Sequence, residues 1–262
     1  MTYSSKLFNL KNKKIILTGC FGLLGTEFSN YLLKNGAIVI GIDLEFKKKF
    51  KKHNRFFFYK SDLSKPESIK KTCDKIIKKY KKIDCLINNA AINETIDKNL
   101  KSNFLDLDLL EFDKFSDVNI KAILYLSKYF HKILKKGNGG SIINIGSIYG
   151  IVSPDHKIYN KDKEIKNQKN ILYTVTKSSL IGLTKHLAVI FAKDRIRVNC
   201  TCFGGVENKQ NKNFLKKYSN NTPMNRLAKK DEFNGLINFL ISDAASYITG
   251  SNIVVDGGLT II

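Results

Sequence analysis

Residues 13–25, KKIILTGCFGLLG, pass from an apolar run through a glycine-rich turn into a helical pattern, and this order indicates the fold class. Residues 13–18 form a largely apolar run that is typical of a strand buried on both faces, and the run ends at Gly19. A helical pattern follows over 22–35, and Gly36 provides its stop. A buried strand that passes through a glycine-rich turn into a helix favours a parallel sheet covered by helices.

The same alternation continues along the whole chain. We predict further strands at 37–43, 56–60, 83–88, 141–145, 195–200 and 252–256, with helices at 65–80, 106–136, 173–194 and 231–242. This order predicts an α/β fold with a doubly wound parallel sheet, Rossmann-like, in three α/β/α layers with about seven strands. Because no linker or repeat divides the 262 residues, we expect one domain, 1–262.

Composition narrows the class of protein. The 45 Lys+Arg outnumber the 23 Asp+Glu, giving a formal net charge of +22, but only four of the basic residues are arginine. Nucleic-acid readers favour arginine for bidentate contacts, so we expect no nucleic-acid partner. No apolar run is long enough for a signal peptide or a membrane span. Five scattered cysteines show no metal-ligand spacing, which favours reduced thiols, a cytoplasmic location and no metal.

The glycine-rich turn predicts a dinucleotide site. Gly19, Gly22 and Gly25 allow the backbone to approach a pyrophosphate, and the helix start stabilises its negative charge. Asp43 ends the second predicted strand, where a carboxylate binds adenosine ribose hydroxyls and repels a 2′-phosphate. We therefore expect NAD rather than NADP, although Lys47, Lys48 and Lys49 lie nearby and weaken this preference.

A second motif, Tyr173-Thr-Val-Thr-Lys177, places a phenol and an ammonium group one helical turn apart. A tyrosine of ordinary pKa is a poor base, and an adjacent cation stabilises its phenolate. The alternative interpretation of the pair is a solvated surface contact.

With these two motifs, several others resemble the short-chain dehydrogenase/reductase family from Leu10 to the C-terminus. They are Asp62 in KSDLS, the sequence NNAA at 88–91, Asn119, Ser147 in NIGS, and the closing ITGSNIVVDGG. The resemblance implies that Tyr173 is the general acid/base, that Lys177 holds the nicotinamide ribose and lowers the tyrosine pKa, and that Ser147 binds the substrate oxygen. It also implies that Asn119 holds a water in the proton relay. The cofactor residues it implies are Thr18, Gly19, Gly22, Leu23, Leu24, Gly25, Asp43, Asp62, Leu63, Asn89, Ala90, Ala91, Tyr173, Lys177, Gly204 and Val206.

Three departures from the family pattern bear on the substrate. Gly22 lies one position earlier than the middle glycine of TGxxxGxG, Phe203-Gly204-Gly205 replaces the usual Pro-Gly, and Ser147 and Tyr173 are separated by an insertion of about 149–170. Loops at this rim select substrates, so we expect Ser147, Tyr149, His156 and Tyr173 to contact the substrate and about 205–223 to act as a flexible lid.

These features are similar to a branch of the family that builds bacterial surface sugars. They favour an oxidoreductase that interconverts a secondary alcohol and a ketone on a sugar or sugar derivative. A 3-oxoacyl-carrier-protein reductase is the alternative enzyme, and a non-catalytic cofactor-binding module with a basic surface is the alternative of another class. The resemblance also implies a homodimer or homotetramer, with Leu180, Leu183, Leu187 and Phe191 compatible with either core or interface.

Overall fold

The computed structural model describes residues 6–47, 50, 53–93, 104–137, 139–160 and 167–262. Lys48 and Lys49, which bear on the NAD preference, lie outside these residues. Within them, the strands are β1 (Lys14–Thr18), β2 (Ile38–Asp43), β3 (Phe56–Lys60), β4 (Cys85–Asn88), β5 (Gly140–Ile145), β6 (Ile196–Phe203) and β7 (Asn252–Val255). The helices are α1 (Leu23–Lys34), α2 (Pro66–Lys79), α3 (Glu111–Ser116), α4 (Ala122–Lys135), α5 (Ile171–Ala192), α6 (Lys212–Asn220) and α7 (Asn234–Ile241).

The seven described strands form one parallel sheet in the order β3-β2-β1-β4-β5-β6-β7. The chain reverses its direction of winding between β1 and β4, which places a ligand crevice at their carboxyl ends. Both faces of the sheet are covered, as the alternation of strands and helices predicts. The doubly wound, three-layer fold is therefore confirmed.

Side-chain alternation along the strands divides the core between the two faces. Ile15 and Leu17 of β1 pack with α1 and α7, whereas Ile16 packs with α2, α4 and α5. All three side chains are fully buried. Burial on both faces explains why β1 has a continuous apolar sequence.

The helical stretch predicted over about 106–136 is continuous from Glu111 to Lys135, so it begins about five residues later than predicted. It consists of α3, a π-turn (Asp117–Lys121) and α4, and a 3₁₀ turn (Phe104–Asp106) precedes it. The sequence pattern did not reveal the π-turn within the stretch.

The predicted ends of the other elements hold to within a few residues. Pro66 begins α2, and Gly36 adopts a φ of +77° just after α1. The sixth strand runs to Phe203, three residues beyond its predicted end.

Candidate active site

A cleft of about 1500 Å³ opens at the carboxyl ends of the strands. It brings together most of the residues predicted from the sequence: Gly19, Gly22, Leu23, Leu24, Asp43, Asp62, Leu63, Asn89, Ala90, Ala91, Ser147, Tyr149, Tyr173, Lys177, Gly204 and Val206. Four predicted residues do not line it: Thr18, Gly25, Asn119 and His156. Thr18, Asn119 and His156 instead make hydrogen bonds to neighbouring segments, and Gly25 packs against Gly19.

Two positions of the turn between β1 and α1, Gly19 and Gly25, have room for glycine only. Gly19 has a φ of +61°, and a Cβ on Gly25 would lie 1.9 Å from the Gly19 carbonyl oxygen. Gly22 is the N-cap of α1 and has no side chain to cap the helix, so the first N–H groups of α1 lack a side-chain partner. A backbone cradle of this kind at a helix N-terminus fits a dinucleotide pyrophosphate.

Thr18 and Asn89 hold the ends of β1 and β4 together. Thr18 Oγ1 accepts hydrogen bonds from the backbone N–H groups of Asn89 and Ala90, at 2.9 and 3.0 Å. Asn89 Nδ2 donates to the carbonyl oxygens of Thr18 and Gly19, at 3.0 and 3.1 Å. Thr18 therefore supports the glycine turn from below the cleft.

Two carboxylates lie on the β2–β3 side of the cleft. Asp43 Oδ2 accepts from Phe21 N at 2.9 Å and Oδ1 accepts from Leu44 N at 2.8 Å. A carboxylate has about four acceptor sites, so these bonds orient Asp43 and leave capacity for ribose hydroxyls. Asp62 accepts from the Ser64 backbone and hydroxyl, and these hydrogen bonds lower its pKa.

Tyr173 lies in the first turn of α5 because Asn170 caps that helix. Asn170 Oδ1 accepts from Leu172 N at 2.9 Å. One helical turn later, Lys177 is 4% exposed and its Nζ donates to the Ile145 carbonyl oxygen at 2.6 Å. Lys177 Nζ lies 5.7 Å from the centroid of the Tyr173 ring. The spacing predicted from the sequence thus places phenol and ammonium on one side of the helix.

Burial has the largest effect on the pKa values of Tyr173 and Lys177. It raises the pKa of Tyr173, and a hydrogen bond with the Ser147 side chain acts in the opposite direction. Burial lowers the pKa of Lys177 to about 8. The resemblance implies a lowered tyrosine pKa, but here desolvation of the phenolate outweighs the other influences.

The side chain of Asn119 joins two elements from within the π-turn. Its Oδ1 accepts from Ile92 N at 2.8 Å, and its Nδ2 donates to Ile92 O and to Thr176 Oγ1. Ile92 follows β4 and Thr176 lies on α5. Asn119 therefore positions the loop after β4 against the helix that carries Tyr173. Its role in a water relay stays a prediction.

The end of the cleft that holds Ser147 and Tyr173, which we call the substrate end, is lined by tyrosines. The hydroxyls of Tyr149 and Tyr159 are 2.8 Å apart, and burial raises the pKa of Tyr159 to about 12. Tyr218, on α6, packs beside Ile148 and Ile158 and accepts from Gly205 N. Sequence reasoning identified Tyr149 but missed Tyr159 and Tyr218, because nothing in the local pattern distinguishes an inward-facing tyrosine from an exposed one.

The predicted lid, about 205–223, contains a helix, and the insertion, about 149–170, contains buried residues, although the polar composition of both predicts exposed loops. The predicted lid contains α6, whose Lys217 Nζ donates to the carbonyl oxygens of Lys157 and Asn160. In the insertion, predicted to be an exposed loop, Ile158 and Asn160 are both 4% exposed. Residues 161–166 of the insertion lie outside the described residues.

The structure places His156 behind the cleft rather than in it. His156 Nδ1 accepts a hydrogen bond from the Lys169 backbone N–H at 3.2 Å. Burial lowers the His156 pKa, which favours the neutral ring that this bond requires. A direct substrate contact by His156 stays a prediction.

Comparisons with known proteins agree with this geometry. The family model described as Enoyl-(Acyl carrier protein) reductase matches residues 24–260. The chain belongs to the short-chain dehydrogenase/reductase family. A short-chain dehydrogenase from Leptospira borgpetersenii, solved with bound NAD+, is 32% identical with a TM-score of 0.87. The match covers 99% of this chain and 96% of that one.

Curated relatives in this family differ in their substrates. The 3-oxoacyl-[acyl-carrier-protein] reductase FabG of Buchnera aphidicola is 32% identical over 95% of this chain and 98% of its own length. The 7alpha-hydroxysteroid dehydrogenase of Bacteroides fragilis is 30% identical over 96% of this chain and 95% of its own length. Our protein is an oxidoreductase of this family that acts on a CH–OH group with NAD or NADP. When bound, the nicotinamide supplies or accepts the hydride.

Among the residues that the structure describes, no helix is long and apolar enough to cross a membrane. In the same parts of the chain, no group of three or more His, Cys, Asp or Glu side chains is arranged to hold a metal ion.

Proposed function

We propose that this short-chain dehydrogenase/reductase interconverts a secondary alcohol and a ketone on a sugar or sugar derivative, with NAD as its cofactor. The observation that carries this proposal is the lining of the substrate end, where Tyr149, Tyr159 and several amide side chains face the same cleft as Tyr173. The amides are Asn93, Asn167, Asn208 and Asn213, while those of Asn160, Gln210 and Asn211 also line the cleft but hydrogen-bond within the protein. Hydroxyl and amide groups are donors and acceptors suited to a polyhydroxylated ligand.

In this mechanism Tyr173 transfers a proton at its Oη. During oxidation it accepts the proton of the substrate hydroxyl, and during reduction it donates a proton to the carbonyl oxygen. Ser147 hydrogen-bonds both Tyr173 and the substrate oxygen, which orients the two for this transfer. The Lys177 ammonium orients the nicotinamide ribose and favours the phenolate electrostatically.

The preference for NAD rests on Asp43. Its carboxylate lines the cleft at the end of β2 and is oriented by Phe21 N and Leu44 N. Since a carboxylate binds ribose hydroxyls and repels a 2′-phosphate, NADP is the weaker ligand in this proposal.

A second candidate function is 3-oxoacyl-carrier-protein reduction. The Buchnera relatives named FabG favour it, since they match almost their full length at 31–33% identity. The abundance of amide side chains at the substrate end favours the sugar derivative, because an acyl chain gains nothing from hydrogen-bonding groups that it cannot satisfy.

We also infer a single-domain, cytoplasmic homodimer or homotetramer that works in the synthesis of surface carbohydrates. Free, buried cysteines support a reducing compartment. Exposed apolar side chains on α4 and α5, such as Leu124 and Val189, support the association of subunits.

The test combines nucleotide binding with turnover. We expect NAD and NADH to raise the melting temperature more than NADP and NADPH do, and NADH absorbance to change with sugars or nucleotide sugars. Tyr173→Phe should reduce turnover by at least 100-fold while the shift with NAD persists, because the ring remains and only the proton-transferring group is lost. Turnover of 3-oxoacyl thioesters and of no sugar would establish the alternative enzyme. Unchanged turnover by Tyr173→Phe would refute the mechanism.

A further inference from the structure

Two tyrosine hydroxyls meet at the substrate end of the cleft. Tyr149 and Tyr159 both line it, and their Oη atoms are 2.8 Å apart. Tyr149 belongs to the 3₁₀ turn that Ser147 caps, and its backbone N–H donates to Ser147 Oγ at 3.2 Å. Tyr159 ends the 3₁₀ turn of the insertion. The insertion therefore brings a second hydroxyl to the strand end that carries Ser147.

Aromatic packing against α6 holds the Tyr159 ring. The ring centroids of Tyr159 and Phe214 are 5.6 Å apart, and those of Phe214 and Tyr218 are 5.8 Å apart. Tyr218 is buried, and its hydroxyl accepts a hydrogen bond from Gly205 N. Tyr159 thus rests on a packed aromatic cluster, which keeps its hydroxyl beside that of Tyr149.

The Tyr149–Tyr159 pair has hydrogen-bonding capacity beyond its mutual bond. Two phenol groups carry two O–H donors and lone pairs on both oxygens, and their mutual bond uses one donor and one lone pair. Within the part of the chain that the structure describes, neither hydroxyl has a second hydrogen-bond partner. One O–H and at least one oxygen lone pair therefore remain for a ligand in the cleft.

Both tyrosines stay protonated at neutral pH. Burial raises the pKa of Tyr159 to about 12 and also raises the pKa of Tyr149. The neighbouring Tyr173 acts on both pKa values in the same direction. A ligand therefore meets neutral hydroxyls that offer a donor and an acceptor side by side. An alcohol oxygen satisfies both, because it accepts and donates through one atom, whereas a carbonyl oxygen only accepts.

We propose that the Tyr149–Tyr159 pair binds a second hydroxyl group of the substrate, on the same ring as the carbon on which Tyr173 acts. This inference rests on the proposed function and narrows its substrate class to cyclic diols and polyols. The bound hydroxyl does not react, so its contact with the pair is similar in the ground state and the transition state. Losing this contact raises KM and leaves kcat nearly unchanged.

The experiment measures kcat/KM by NADH absorbance, with NAD as cofactor and alcohols built on one ring. Cyclohexane-1,2-diol and cyclohexane-1,3-diol carry the second hydroxyl, and cyclohexanol lacks it. Any sugar that is turned over is compared in the same way with its monodeoxy analogues. The variants are Tyr149→Phe, Tyr159→Phe and the double variant, which keep the rings and remove the hydroxyls. Tyr247→Phe changes an exposed tyrosine outside the cleft and is the control.

We expect wild type to prefer at least one ligand with the second hydroxyl by about 5- to 50-fold in kcat/KM, the range of two neutral hydrogen bonds. For the diols this exceeds the factor of about two that a second reactive hydroxyl gives by number alone. Each single variant should lower the preference through KM, and the double variant should remove it beyond that factor. Tyr247→Phe should keep it. Because the preference is a ratio within one protein, partial misfolding of a variant does not change it.

The inference is overturned if wild type shows no such preference with the diols or the sugars, or if the double variant retains it. Failure of the proposed function looks different: 3-oxoacyl thioesters are then turned over, neither sugars nor these alcohols are, and the inference falls with it.

Discussion

At the scale of single residues, the site depends on polar groups that the fold desolvates. Lys177 is held by Ile145 O and lies beneath Tyr173, so its charge has little water to stabilise it. The sequence identified this residue through its spacing from Tyr173. Its degree of burial depends on β5 and β6, which are remote in sequence, and no local pattern reports it.

The lowered pKa of Lys177 predicts a pH-dependent stability. Between pH 8 and the ordinary lysine pKa of 10.5, the unfolded chain binds a proton at Lys177 that the folded chain does not. The free energy of unfolding therefore rises with pH in this window, by on the order of 1–3 kcal/mol. Lys177→Met removes this contribution, so wild type should gain stability over the variant between pH 8 and 10.5.

Urea unfolding at several pH values in this window measures the difference. Lys185→Met removes an exposed lysine from the same helix and should follow the wild-type profile. Parallel profiles for wild type and Lys177→Met would mean that Lys177 stays charged in the folded protein.

At the scale of elements, short-range geometry explains both the successful and the failed predictions. The turn between β1 and α1 was recognisable because its glycines meet local steric demands, as the φ of +61° at Gly19 shows. The helical stretch over about 106–136 was recognised, but the π-turn at Asp117–Lys121 within it, which contains Asn119, was not. α6 was missed because its Asn- and Lys-rich sequence resembles a loop.

The packing of the turn between β1 and α1 predicts how a methyl group added at Gly25 changes stability and NAD binding. Gly25→Ala would place a Cβ 1.9 Å from Gly19 O, so the turn must open. We expect the variant to lose about 1–3 kcal/mol of unfolding free energy, as overpacked sites do, together with NAD affinity. Denaturant unfolding and the melting-temperature shift with NAD measure both effects.

Gly182→Ala is the matched control, since no atom outside the neighbouring helix backbone lies within 4 Å of the added methyl group. It should leave NAD binding intact and stabilise α5 by up to about 1 kcal/mol through helix propensity. If Gly25→Ala bound NAD as wild type does, close packing of this turn would not be what shapes the dinucleotide site.

At the scale of the whole molecule, α4 and α5 present an apolar surface. Leu124, Tyr125, Leu187 and Phe191 line a groove of about 500 Å³ between them, and Val189 is 79% exposed nearby on α5. Of the four leucine and phenylalanine positions noted in the sequence, Leu180, Leu187 and Phe191 are buried in the core and Leu183 is partly buried. Leu187 and Phe191 also border this groove, and their place in an interface stays a prediction.

The apolar surface of α4 and α5 predicts how acidic substitutions there change the oligomeric state. We expect wild type to sediment as a dimer or tetramer, and the double variant Leu124→Glu, Val189→Glu to shift toward smaller species, because carboxylates are costly to bury at an interface. Phe8→Glu changes an exposed residue that packs on α7, on the opposite face of the sheet, and serves as the control. Identical sedimentation of all three proteins would exclude this face as the interface.

The sequence by itself determined the fold class, the dinucleotide turn and the Tyr173–Lys177 pair, because each depends on periodicity or on spacing within one turn. It also indicated the family, through the resemblance of several motifs spread along the chain. The tertiary structure decided which polar side chains reach the cleft. His156, chosen from the insertion, lies behind it, whereas Lys169 of the same insertion faces Tyr173. Asn119 acts across two separate elements. Such contacts join residues far apart in the chain, and only the packing of complete elements brings them within hydrogen-bonding distance.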